Sequence, residues 1–171
     1  MLIELESDRR NAALTNSVFD QLLKVLGVEK MDPPQIILST NDELIEKFGR
    51  ESSRFHSDNG NVHLNVESEL YPDDVIHEFI HYIRKKHVKE ALAPEVGIHS
   101  FVYEEAIAAF CASVISCEDS SELHAKNLLS LGNIESCLGD INYPNLFSAF
   151  GSLGNVLGHI AAIGIADKTM E

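Results

Sequence analysis

The sequence predicts an α+β fold, with a small mixed sheet in the first half and a mostly helical second half. Three observations carry this. Short apolar runs and an Asp58-Asn59-Gly60 turn signal fall in the first part of the chain. From Pro72 onward, apolar residues recur at helical spacing between recognisable start and stop signals. No linker, repeat or low-complexity stretch divides the 171 residues, which suit one domain covering 1–171.

In chain order, Leu2 to Leu5 reads as a short strand. Asn16 or Ser17 can cap a helix running to about Leu26, where Gly27 stops it. Pro33-Pro34 is a break, and Gln35-Ile36-Ile37-Leu38 then reads as a buried strand. Thr40-Asn41-Asp42-Glu43 has capping-box spacing, and Gly49 closes the short helix that follows. Asp58-Asn59-Gly60 is the strongest hairpin signal in the chain. After it, Val62, Leu64 and Val66 alternate with His63, Asn65 and Glu67. That predicts a strand with one buried face and another that meets ligand or solvent.

Pro72 with Asp73-Asp74 marks a helix start, because proline suits the first turn and acids suit the positive end of the dipole. Val75, Ile76, Phe79, Ile80 and Ile83 make its apolar stripe. Arg84-Lys85-Lys86-His87-Val88-Lys89 reads as the basic, solvated end of that helix. A second helix begins near Ser100 and runs through Ala112, and further helices span Ser121 to Leu131 and Pro144 to Ala166.

Composition excludes several classes. Apolar residues make up 44 % and charged residues 23 %, the proportions of a globular protein. The balance of 13 basic and 27 acidic residues gives a formal charge of −14, without the basic footprint of a nucleic-acid binder. Cys111, Cys117 and Cys137 are odd in number and lack Cys-x-x-Cys spacing. They read as free thiols in a reducing, cytoplasmic setting, not as staples or zinc ligands. Met1 to Glu6 lacks the basic start and apolar run of a signal peptide. Asn145 to Ala166 is uncharged and holds a GxxxG spacing at Gly154 and Gly158. Its Asn145, Ser148, Ser152, Asn155 and His159 favour a core helix over a membrane span.

The chemistry centres on His77-Glu78-Phe79-Ile80-His81. Two histidines at i and i+4 lie one turn apart on one helix face, where both imidazoles can bind one Zn²⁺. Glu78 stands beside them, placed to accept a proton from the attacking water. The bland reading is an amphipathic helix with two exposed histidines. The helix-start signal before the motif and the apolar anchors Phe79 and Ile80 within it argue for a built site.

A third ligand is required, and four residues compete: His87, His99, Glu104 and Glu105. His87 has the metzincin spacing from His81, but position 84 is Arg84 where that class needs glycine, and the only later methionine is Met170. His99 sits in a loop-like context before a helix cap. On a helix, Glu104 and Glu105 point about 100° apart, so only one can face the motif helix squarely. Glu105 shares its face with Phe101, Ala108, Ala109 and Ala112, mostly small. Glu104 shares a bulkier strip with Ser100, Ile107, Ala108 and Cys111, which suits a histidine orienter.

The HExxH motif, a variable loop, and then Glu105-Ala106-Ile107-Ala108-Ala109-Phe110 resemble the gluzincins, especially their compact minigluzincin forms. Ala106 stands where glycine is commoner there, and Phe110 where tyrosine is. The resemblance covers residues 61–112. It implies a zincin-like fold with an active-site helix, zinc held by His77, His81 and Glu105, and Glu78 as general base. It also implies a metallopeptidase whose peptide or protein substrate lies extended along the 62–66 strand. No residue is assigned to the oxyanion, although Tyr143 and His159 are available. The rival from another class is a catalytically silent, metal-stabilised binding or regulatory protein of the same fold. The intact Glu78 speaks against it, since a structural site needs no base.

Overall fold

The computed structural model describes residues 16–48, 54–56, 60–67, 72–87, 98–116, 120–139 and 143–169. The expected strand at Leu2 to Leu5, the stop at Gly49 and Cys117 lie outside them. The chain divides into two compact units, Met1–Tyr82 and Ile83–Glu171.

In the first unit, helix α1 covers residues 16–26 and ends where the sequence places Gly27, whose φ is +65°. The Val28 amide donates to the Leu23 carbonyl at 2.9 Å and the Gly27 amide to Lys24 at 3.2 Å, which answers the last carbonyls of the helix. Strand β1 (Ile36–Ser39) leads into α2 (Asn41–Phe48). Thr40 and Glu43 cap α2 reciprocally: the Thr40 amide donates to Glu43 Oε2 at 2.9 Å, and the Glu43 amide to Thr40 Oγ1 at 3.4 Å.

Strands β2 (Arg54–His56) and β3 (Asn61–Asn65) form an antiparallel pair, with Phe55 opposite Val62. Gly60, with φ of +74°, supplies the left-handed residue before β3. β1 pairs parallel to β3, Ile36 against Val62 through Ser39 against Asn65. The sheet is therefore mixed, in the order β1-β3-β2, and β3 is its middle strand.

Both faces of β3 are buried. Val62 and Leu64 point into the apolar core, while His63 and Asn65 are just as enclosed on the other side. The expectation of a face open to ligand or solvent fails because α2 covers it. Lys47 Nζ donates to His63 Nε2 at 3.1 Å, so the imidazole proton sits on Nδ1, 3.0 Å from Ser39 Oγ. The Phe48 ring meets His63 edge-on at 5.1 Å, and Asn65 Nδ2 donates to Asn41 Oδ1 at 2.7 Å.

Helix α3 (Pro72–His87) starts at the predicted proline and acids. In the first unit its Phe79 meets Phe19 edge-to-face at 5.1 Å, and the Tyr82 hydroxyl donates to the Asp32 carbonyl at 3.0 Å. These contacts fix how the helix is rotated about its axis, and hence where the motif points.

The second unit holds the end of α3, then α4 (Ile98–Ile115), α5 (Ser120–Gly139) and α6 (Tyr143–Thr169). α5 runs past Leu131 because Gly132 costs only about 1 kcal/mol in a helix interior and does not end it. α6 packs against both α4 and α5. Its Gly154 and Gly158 meet the α4 backbone, so the GxxxG spacing serves a contact within the chain. Ser148–Ala166 is long and apolar enough to cross a membrane by length and composition, and 44 % of it is buried inside the protein. Toward α5, His159 Nδ1 lies 3.3 Å from Asn127 Oδ1.

Gly60 and Gly132 offer opposite tests. Gly60→Ala should lower stability by about 1–2 kcal/mol, because alanine resists φ near +74°. Gly132→Ala, in an exposed helical turn with nothing near its missing Cβ, should raise stability by up to ~1 kcal/mol. Urea denaturation of both variants checks the pair; shifts of the same sign would contradict the turn assignment.

Candidate metal centre

His77 and His81 are brought together within α3 alone. Their Nε2 atoms lie 3.0 Å apart, with ring centroids at 4.8 Å and planes 74° apart. A tetrahedral zinc with bonds of about 2.0–2.1 Å holds two nitrogens roughly 3.3 Å apart. The pair is therefore within a few tenths of an ångström of chelating geometry. His81 is buried and His77 half-buried, so water competes weakly for the inner nitrogen. Glu78 follows His77 on the same helix and is half-buried.

In α4 the two successive glutamates are separated by their partners. Glu104 is 5 % exposed, and both of its oxygens are engaged by Arg84. Arg84 Nε donates to Oε2 at 2.6 Å and Nη2 to Oε1 at 2.7 Å. This fork holds the last turn of α3 against α4 inside the second unit. The hydrogen bond donated to Glu104 raises the pKa of Arg84 above its ordinary value, against the opposing effect of burial. Glu104 is thus committed to a guanidinium, and no histidine-orienting contact is needed to explain its burial.

Glu105, the next residue of α4, is half-buried. His77, His81 and Glu105 each offer one donor atom, and the three lie within 4.8 Å of one another. Two imidazoles and one carboxylate are a zinc donor set.

No protein-family model, curated protein or solved structure matches this chain. The chemistry is therefore read from these residues and distances.

Of the other sequence candidates, His87 is exposed at the end of α3. His99 lies in the first turn of α4, and its side chain is outside the described residues. Tyr143 opens α6, likewise with its side chain outside them. His159 is enclosed between α6 and Asn127 of α5. The basic end of α3 reads correctly for Lys86 and His87, which are exposed, and incorrectly for Arg84. The signal for Arg84 was available, since it lies three residues after His81 and seven after His77, on the motif's own stripe.

The strand expected to carry substrate is also placed differently. Val62 and His63 of β3 are paired on both sides, so a peptide cannot add alongside them. The outer strands among those described are β1 and β2. Cys111 and Cys137 are free thiols, as expected. Burial pushes the Cys111 thiol up, and the Arg84 cation offsets this only in part.

The Arg84 fork should be costly to break from one side. Arg84→Met leaves Glu104 buried without its cation and should cost about 2–3 kcal/mol, discounted for the partial exposure of Arg84. Arg84→Met with Glu104→Met should recover most of that loss. Chemical denaturation of the three variants measures it. Single variants within about 0.5 kcal/mol of the parent would mean an ordinary surface ion pair.

Proposed function

We propose that this chain is a zinc-dependent hydrolase of the gluzincin type, a metallopeptidase, with His77, His81 and Glu105 as ligands and Glu78 as general base. The observation that supports it most is the 3.0 Å approach of the two Nε2 atoms on one helix face. The two nitrogens converge as two ligands of one ion do; without a metal, the same approach is an N–H···N hydrogen bond with one ring as donor. Bound zinc supplies a Lewis acid and brings the pKa of water toward neutrality.

The chain's own residues supply the rest. His77 and His81 present nitrogen lone pairs from successive turns, and α3 fixes their spacing. Glu105 contributes a carboxylate oxygen and one negative charge from α4. Glu78 accepts a proton at a carboxylate oxygen from the attacking water and carries it to the leaving amine nitrogen. Arg84, by occupying Glu104, keeps a second acid from competing for the cation. The formal charge of −14 favours neutral or basic peptides over acidic ones. With β3 paired on both sides, an extended substrate would have to add at an outer strand of the sheet. Free Cys111 and Cys137 fit a cytoplasmic, reducing setting.

Glu78→Gln separates catalysis from ligation. It should keep zinc within a few-fold of wild type while lowering peptide hydrolysis by about 10²–10⁴-fold, which a screen over a peptide library can read. Glu105→Ala should weaken zinc binding strongly, leaving the residual affinity of the two histidines, whereas His87→Ala should not weaken it. If Glu78→Gln loses its zinc, Glu78 is a ligand and the assigned role is wrong. If the wild type binds zinc yet cleaves no peptide in the library, the catalytically silent binding protein is the better description.

A further inference from the structure

We propose that Gly154 is a positioning residue for the metal ligand Glu105: its missing Cβ lets α6 seat directly against the α4 backbone at that residue. The inference rests on the zinc reading above and adds to it what holds the third ligand in place. A Cβ at position 154 would lie 2.5 Å from the Glu105 Cβ, 2.7 Å from the Val102 carbonyl oxygen and 3.2 Å from the Ala106 amide nitrogen. Two of these three atoms are backbone, and the third is the root of the ligand's own side chain. No flexible end is available to swing aside. Any L side chain at 154 must therefore part the two helices or turn α4 about its axis.

The next turn repeats the arrangement. A Cβ at Gly158 would overlap the Ala106 carbonyl oxygen and stand 2.8 Å from the Ala109 Cβ and 2.9 Å from the Phe110 amide nitrogen. Gly164, farther along α6, has nothing within 4 Å of its missing Cβ. The close approach is thus confined to the two turns of α6 that flank Glu105 and Ala106. α4 is held from two sides, by Arg84 on Glu104 and by α6 on the Glu105 Cβ. Rotation of α4 is what decides where the Glu105 carboxylate points. A shift of order 1 Å at a ligand root is enough to spoil a site, because ligating groups must be held to about 0.5 Å.

The test is a double-mutant cycle on zinc affinity in the full chain, by competition with a chromophoric chelator, over wild type, Gly154→Ala, Glu105→Ala and the pair. Gly154→Ala should weaken zinc binding about 10-fold or more, the usual scale for groups that orient a ligand. In the Glu105→Ala background it should add nothing, because the ligand it positions is gone. Gly164→Ala should bind like wild type. An equal loss in both backgrounds, or no loss in either, overturns the proposal, since a merely structural glycine would affect both alike. A wild-type chain that binds no zinc overturns the metal reading itself, and the first titration tells the two failures apart. Should Gly154→Ala not fold, Gly158→Ala goes through the same cycle with the same expected coupling. Wild-type affinity in Gly158→Ala would then overturn the proposal.

Discussion

A carboxylate taken out of water must be answered by a cation, and α4 carries two carboxylates in succession. Arg84 answers the first with a two-bonded fork on Glu104, and the geometry around the site follows from that pairing. Glu104 is occupied by that fork, and the adjacent Glu105 is the proposed metal ligand. The last turn of α3, which continues the motif helix, is simultaneously held to α4. Arginine suits this task better than lysine, because its planar fork matches both oxygens and fixes a direction as well as a distance. The same residue occupies the position where a metzincin would need glycine.

Much of the fold was legible because its signals are local. Gly27 ends α1 through a positive φ, Thr40 and Glu43 cap α2 reciprocally, and Gly60 turns the chain into β3. Pro72 with Asp73 and Asp74 starts α3. Each of these devices lies within a few residues of its target. The order of the strands was not legible, because it depends on β1 pairing parallel with β3 across an intervening helix. Alternation in 62–66 named one buried face but carried no information about α2, whose Lys47 and Phe48 bury His63 on the other. For the site, the approach of His77 and His81 was readable, because their spacing puts both rings on one helix face. The resemblance pointed to Glu105 over Glu104, but the partner that occupies Glu104, Arg84, was not legible, because that pairing joins residues twenty apart.

The uncharged stretch of α6 shows how one composition serves two readings. Its glycines and low charge look like membrane signals in sequence, since close helix approach uses small residues in either solvent. In the fold, Gly154 and Gly158 press on the α4 backbone while Ser152 and His159 turn toward α5. What α6 contributes to the site is therefore mechanical. It sets the depth and rotation of the helix that carries Glu105, whereas α3 sets the histidine spacing internally. The three proposed ligands are thus held by devices of unequal reach: one helical turn for the imidazoles, and an interhelical backbone contact for the carboxylate.

The central claim is that two histidines and one glutamate hold a single zinc ion. It is tested most directly by metal analysis of zinc-equilibrated, dialysed protein together with X-ray absorption at the zinc edge. The account predicts one zinc per chain in a nitrogen and oxygen shell, with the outer scattering of two imidazoles and no sulfur. Protein that retains no zinc after equilibration, or a shell containing thiolate sulfur, would contradict it.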